Sequence, residues 1–243
     1  MTTIVITQPN YIPWFGWFVL AAQCEVIVLL DTVQMTRQDW RTRNRILGRG
    51  GPQWISIPVA ANDRLTTSIA DTLISPQHRD WGKHHWGKLC ESYGSHKFFD
   101  DLTILLQNYY VTSISMTNLV DFTVPTTIEL LKNLVPNVQV VTASSLFCEQ
   151  PNLIDIKTAP NSRILAICNK LNATQYVSSL GARHYLDTPA LKRNGIEVSW
   201  FDQMSSNSEG LPRNNAIPLS IVHDVALFGV ESICERIQLL ARF

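Results

Sequence analysis

Apolar residues crowd into two short runs near the start of the chain, residues 4–6 and 26–30, with a helical spacing of large side chains between them. Runs rich in Val, Ile and Leu without polar alternation predict parallel strands covered on both faces. Pro13 opens the intervening helix, because a missing N–H is harmless in a first turn. That helix is predicted over about residues 14–23, with Phe15, Phe18, Val19 and Ala22 on one side. The second strand is predicted over residues 25–31, and strand, helix and strand form a βαβ unit with a right-handed crossover.

Two extended runs follow, residues 43–47 and 53–59, joined around Gly48-Arg49-Gly50-Gly51-Pro52. Glycine and proline punctuation between extended runs predicts a hairpin, and Trp54, Ser56 and Pro58 alternate with Ile55, Ile57 and Val59. A polar loop covers residues 60–67. From Pro76 to about Leu134 the periodicity is helical, with Trp81, His85, Lys88 and Leu89 on one face and Pro125 expected to kink or divide the third helix. The α/β rhythm then returns: strands at residues 138–141, 176–179 and 197–201, and helices at 162–171 and 188–193. Asn161 or Ser162 is the expected cap of the first of these helices. A loop over residues 206–218 precedes a helix from Leu219 to the C-terminus.

This order predicts the α/β class, with an open, mostly parallel Rossmann-like sheet, a β-hairpin and a helical insertion. The expected division is residues 1–75 for the βαβ unit and hairpin, 76–135 for the helical insertion, and 136–243 for the second α/β half.

Composition narrows the partners. The 243 residues include 20 Lys+Arg and 20 Asp+Glu, so no net charge draws the chain to nucleic acid or to an anionic membrane. The five cysteines, Cys24, Cys90, Cys148, Cys168 and Cys234, show no metal-ligand spacing, and four lie in apolar runs that predict packed thiols. No basic leader precedes an apolar stretch, and no apolar run approaches the ~20 residues that span a bilayer. The expectation is a cytoplasmic protein without a membrane span, a metal site or a nucleic-acid partner.

Candidate chemistry gathers at strand ends, where open α/β sheets place their ligands. Gln8, Asn10 and Tyr11 follow the first strand and either hold an amide, carboxylate or sugar hydroxyl or tie down a rigid loop. Asp31 ends an apolar strand, where desolvation suits a general base and backbone capping is the alternative, with Gln34 as its companion. Arg43 and Arg45 share one strand face and can bracket a phosphate or carboxylate, with Asn44 pointing away. Trp40 either stacks on a ligand or fills core. His85 is either a buried, hydrogen-bonded imidazole or an acid/base group. Ser178 and Ser179 end a later strand, with Arg183 and Tyr185 beyond, and can form an anion-binding turn. Cys168 sits on an apolar helix face as core.

The spaced blocks Gln8-Pro9-Asn10-Tyr11-Ile12-Pro13-Trp14-Phe15-Gly16, Leu30-Asp31 with Val33-Gln34, Trp40 with Arg43-Asn44-Arg45-Ile46, and Gly51-Pro52-Gln53-Trp54 resemble the WbqC-like family. His85, Leu165 with Cys168, Tyr176-Val177-Ser178, Ala182-Arg183, Tyr185-Leu186-Asp187 and Ser220-Ile221 extend the resemblance over nearly the whole chain. It implies a bacterial α/β protein associated with O-antigen and other surface-sugar assembly. It further implies a role in transferring a small group, glycine among the candidates, onto an amino sugar. Thr7, Leu20 and Thr32 stand where the family usually has His, Lys and Asp, and His223 sits near an expected Asp. A fainter likeness, in the strand-end Thr-x-Pro and the late Ser178-Ser179 to Tyr185-Leu186 stretch, resembles nucleotidyltransferase-like enzymes such as pantothenate synthetase. Their paired histidines are absent from Ile12-Pro13-Trp14-Phe15.

The function expected from this reading is a transferase moving an acyl or aminoacyl group onto the amine of a sugar nucleotide or related metabolite. Asp31, His85 and Gln8 are its candidate catalytic residues, and the donor is open, an acyl or peptidyl carrier protein being one candidate. A non-catalytic partner of a biosynthetic enzyme or carrier and an adenylating enzyme are the alternatives. No cofactor is identified by the residues.

Overall fold

The computed structural model describes residues 1–36, 39–60, 66–202 and 218–241. The two predicted early strands form β1 (Thr3–Thr7) and β2 (Val26–Leu29), paired in parallel from Ile4↔Val26 to Thr7↔Leu29. Helix α1 (Phe15–Ala21) joins them with every residue buried. The hairpin strands are β3 (Arg43–Gly48) and β4 (Gly51–Ser56), an antiparallel pair apart from the main sheet. Gly51 sits at φ 109°, a conformation open to glycine. The helical stretch resolves into α2 (Trp81–Tyr93), α3 (Phe99–Thr112) and α4 (Val120–Leu134). Three parallel strands complete the sheet: β5 (Gln139–Thr142), β6 (Gln175–Ser179) and β7 (Glu197–Phe201). Between and after them lie α5 (Ala143–Leu146), α6 (Pro160–Lys170), α7 (Thr188–Arg193) and α8 (Ile221–Ala241).

The sheet runs β5-β2-β1-β6-β7, all neighbours parallel. The chain builds outward from β1 through β2 to β5, then returns to the other side of β1 with β6. The reversal between β1 and β6 is the topological switch point, and the crevice outside their carboxyl ends is where such sheets take ligands.

Period-two alternation divides the strands between two apolar layers. Val5, Ile27, Leu29 and Val177 face α1, α8 and the helical stretch in one layer. Ile4, Val26, Val28 and Tyr176 pack on Ile164, Ile167 and Cys168 of α6 and Leu191 of α7 in the other. The first layer is continuous from the sheet through Leu102, Leu106, Phe122 and Leu130 of α3 and α4, so the helical stretch shares its core with α1 and α8.

Several expectations are corrected by local physics. Pro125 lies inside α4 without dividing it. Helix α6 starts at Pro160, with Ala159 before it and no side-chain cap. Asn161 instead bonds the Tyr185 carbonyl and accepts from Asp187 N. Strand β2 stops at Leu29, so Asp31 lies beyond the ladder. Only Cys24 and Cys168 are buried, because Cys90 falls on the outer face of α2 and Cys148 follows the short α5. The C-terminal helix breaks at Gly229 (φ 81°, ψ 159°), where the Asp101 carboxylate accepts Val230 N at 2.9 Å. All but the last residue of the predicted loop over 206–218, and most of that over 60–67, lie outside the described residues. No described helix is long and apolar enough to cross a membrane.

Candidate functional site

The carboxyl edge of the sheet is one row of paired residues. Thr142 lies beside Leu29, Leu29 beside Thr7, and Ser179 beside Phe201. Continuing the β1–β6 register brings Ser179 level with Thr7 across the switch point. Gln8 is the next residue out, half-buried, and Asn10 follows at 8% exposure. Neither side-chain amide finds a hydrogen-bond partner among the described residues. Their polar atoms are not enclosed, so they meet solvent and stand open to a ligand.

The loop carrying these amides is fixed from three sides. Asn44, fully buried on β3, donates from Nδ2 to the carbonyls of Tyr11 (3.1 Å) and Ile12 (2.8 Å) while its Oδ1 accepts Arg45 N. The Ser220 hydroxyl donates to the Ile12 carbonyl at 2.7 Å, and Ile221 N donates to the Pro13 carbonyl. Tyr11 N donates to the Trp40 carbonyl at 2.8 Å, so the hairpin stem and the loop are one unit. Tyr11 itself is sealed in the core.

The Tyr11 hydroxyl lies 2.8 Å from His85 Nδ1 and 2.8 Å from the Tyr110 hydroxyl, inside a shell of Trp81 and Phe122. Burial raises the Tyr11 phenol well above its usual range, with Tyr110 adding to the effect. Burial holds His85 down to about 3, helped by the charges of Lys88 and His84, while a hydrogen bond to the Ser56 backbone works the other way. The imidazole is neutral at neutral pH, and one of its nitrogens is already engaged.

Asp31 is 3% exposed and turns toward α5, where its carboxylate accepts Ser144 N at 2.9 Å and the Ser144 hydroxyl at 2.5 Å. No hydrogen bond among the described residues joins Asp31 to Gln8. Gln34 is exposed and bridges to Ser68. Ser178 is buried, its hydroxyl 3.2 Å from that of Tyr176, on the opposite face of β6 from Ser179. Arg183 is exposed over the Trp200 ring at 5.3 Å. Tyr185 is 47% exposed, and partial burial raises its phenol pKa. Cys168 is buried, and desolvation lifts its thiol to about 12, far from a thiolate at neutral pH.

Arg43 and Arg45 do share a face, as the strand period requires. Their guanidinium carbons stand 4.3 Å and 5.8 Å from the centre of the Trp54 ring, and Trp54 is the cross-strand partner of Arg45. Trp54 meets Trp40 at 5.7 Å, and Trp40 meets Trp14 at 5.0 Å. The structure therefore unites Gln8, Asn10, Tyr11, Trp40, Arg43, Asn44 and Arg45 around one loop and hairpin. Ser179 stands level with Thr7 across the switch point, and Asp31 follows β2 on the other side of β1 with its carboxylate given to Ser144, while Gln34 pairs with Ser68 and Arg183 lies over Trp200. Trp14, Trp54, Tyr110, Ser144 and Ser220 join the site or its support unannounced, although the alternation of Trp54 with Ile55 does put its ring on the polar face. Among the described residues, no group of three or more His, Cys, Asp or Glu is placed to hold a metal ion.

Comparison with known proteins bears directly on this edge. The profile of the WbqC-like protein family matches residues 8–232, beginning at Gln8. The chain belongs to the WbqC-like protein family. It is also similar to the uncharacterized protein Rv1507c of Mycobacterium tuberculosis, 33% identical over 206 residues that cover 83% of each chain. No solved structure is significantly similar. Membership spans the loop, the hairpin and the helices packed beneath them, so the site is carried by the family region as a whole.

Proposed function

We propose that this WbqC-like protein is a group-transfer enzyme that moves a small acyl or aminoacyl group onto the amine of a phosphorylated metabolite, a sugar nucleotide being the expected kind. The observation that carries this reading is the pair of unpartnered amides, Gln8 and Asn10, on an immobilised loop at the switch point. Amide N–H groups offered from one fixed loop can orient a carbonyl oxygen and stabilise the charge that develops there during acyl transfer. The Ser179 hydroxyl, half-buried across the switch point, is a third donor for the same ligand.

In this reading the amides, rather than the carboxylate or the imidazole, touch substrate. Asp31 already accepts two hydrogen bonds from Ser144, and His85 is sealed behind Tyr11. Both work as framework. A second reading, a binding protein without chemistry, draws on Thr7 and Leu20. The Thr7 hydroxyl accepts the Trp17 indole N–H at 3.2 Å and Leu20 is buried, so both positions are spent on packing α1.

Thermal stabilisation against amino acids, coenzyme A thioesters, carrier proteins and sugar nucleotides tests the reading. A ligand at a hundred times its dissociation constant stabilises by ~2.7 kcal/mol. Gln8→Ala and Asn10→Ala are expected to remove the response to the acyl donor while keeping the unfolding temperature of the free protein. Donor stabilisation that survives both substitutions would overturn the assignment, and ligand binding with no product formed would favour the binding protein.

A further inference from the structure

We propose that the outer face of the β3–β4 hairpin is a phosphate subsite, with Arg43 as its anion anchor and Trp54 as the plate that orients it, for a ligand of the nucleoside-diphosphate class. The inference rests on the group-transfer reading for what the nucleotide carries. It adds where the anionic part binds and which residues select it.

The argument starts from the strand period. Asn44 points inward and is consumed by the loop, so Arg43 and Arg45 project together onto the outer face. A guanidinium whose carbon lies 4.3 Å from an indole centre is held against that ring by cation–π attraction, and a planar guanidinium offers paired N–H groups to phosphate oxygens. Arg43 Nε is enclosed and has no hydrogen-bond partner. The carboxylate of Asp39, four residues before it, is already taken by Arg41. Arg43 therefore has no ion-pair partner among the described residues, while Arg45 has a further interaction of its own. This makes Arg43 the anchor.

The aromatic neighbours decide between phosphate ligands. Trp14, Trp40 and Trp54 form a ladder, the Trp14 indole N–H is enclosed and unpartnered, and Trp54 remains 38% exposed. Planar bases stack on tryptophan and guanidinium faces, with about 1–3 kcal/mol per base. A bare carboxylate or inorganic phosphate would use the arginine and leave the indoles idle. A nucleoside diphosphate uses both. The Tyr11 N–H on the Trp40 carbonyl joins this face to the Gln8–Asn10 loop, so a ligand anchored here extends toward the amides.

Calorimetric titration and tryptophan fluorescence with pyrophosphate, uridine diphosphate, adenosine diphosphate and uridine test the assignment. Pyrophosphate and both diphosphates are expected to bind, and uridine at least about tenfold more weakly, because the charge is the anchor. Arg43→Gln is expected to weaken pyrophosphate and diphosphates alike by roughly tenfold or more, with Arg43→Lys recovering only part of the loss. Trp54→Ala is expected to weaken the diphosphates more than pyrophosphate. Unchanged diphosphate affinity in Arg43→Gln, or no binding of either anion to the unmodified protein, would overturn the subsite. The amide reading would survive that result if Gln8→Ala still abolished donor stabilisation, so the two failures are told apart.

Discussion

Ile12 adopts φ 39°, a left-handed backbone that a β-branched side chain takes only when its surroundings impose it. The imposition is visible, since Asn44 and Ser220 both converge on its carbonyl. That strain turns the chain just after the buried ring of Tyr11, ahead of Pro13 and α1. Beneath it, His85 makes the protein acid-sensitive. Its ordinary pKa of 6.5 is lowered to about 3, so below pH 6.5 the unfolded chain takes up a proton that the native state refuses. Stability from this group is complete above pH 6.5 and is lost as pH falls toward 3, at up to about 1.4 kcal/mol per pH unit. His223, lowered to about 4 by burial and by His96, adds to the slope over a narrower window. Urea midpoints measured from about pH 7 to about pH 4.5 should therefore fall less steeply in His85→Asn than in the unmodified protein. Equal slopes would mean that His85 is protonated in the fold. The helical spacing of Trp81, His85 and Leu89 marks the histidine as buried. Its bonded partner is harder to read, because Tyr11 stands 74 positions away.

Among the elements, α8 shows a constraint that periodicity conceals. Its apolar pattern runs on through Gly229, yet φ 81° with ψ 159° is a conformation essentially limited to glycine, and a Cβ there would lie 2.8 Å from the Phe98 ring. Gly195, at φ 77°, has nothing within 4 Å of an added Cβ. Gly195→Ala is accordingly expected to cost about 1–2 kcal/mol for its backbone alone, and Gly229→Ala clearly more. Chemical denaturation of the two variants checks the order, and equal losses would refute the role given to Phe98. The opposite surprise is Pro125, which leaves α4 whole. The β-strands were the most legible elements, since β6 and β7 fall within one residue of expectation. Strand ends were less so: Asp31 reads as the tip of β2 from hydropathy alone, but it lies beyond the ladder and its carboxylate turns to Ser144, just after the neighbouring β5.

For the whole molecule, the pattern of strands and helices was enough to give a parallel α/β sheet with a hairpin. It could not give the union of layers, because that depends on which distant helices meet. One apolar layer runs without a break from β1 and β2 through α1 and α8 into α2, α3 and α4. Burial shared at this scale couples the parts, so far-ultraviolet circular dichroism and tryptophan fluorescence are expected to report one coincident unfolding transition. Two separated transitions would show that the helical stretch folds independently. The same union explains how much of the site was legible. The shared face of Arg43 and Arg45 was legible from the strand period, whereas Tyr110 and Ser220 contribute only through tertiary packing.

Ser220 reaches Ile12 across 208 positions of sequence. During synthesis, the segment that carries Gln8 and Asn10 therefore leaves the ribosome long before the hydroxyl that pins it has been made. Through most of translation the loop has only its early pins, Asn44 and the Trp40 carbonyl, to settle on, and the last one arrives with the closing helix.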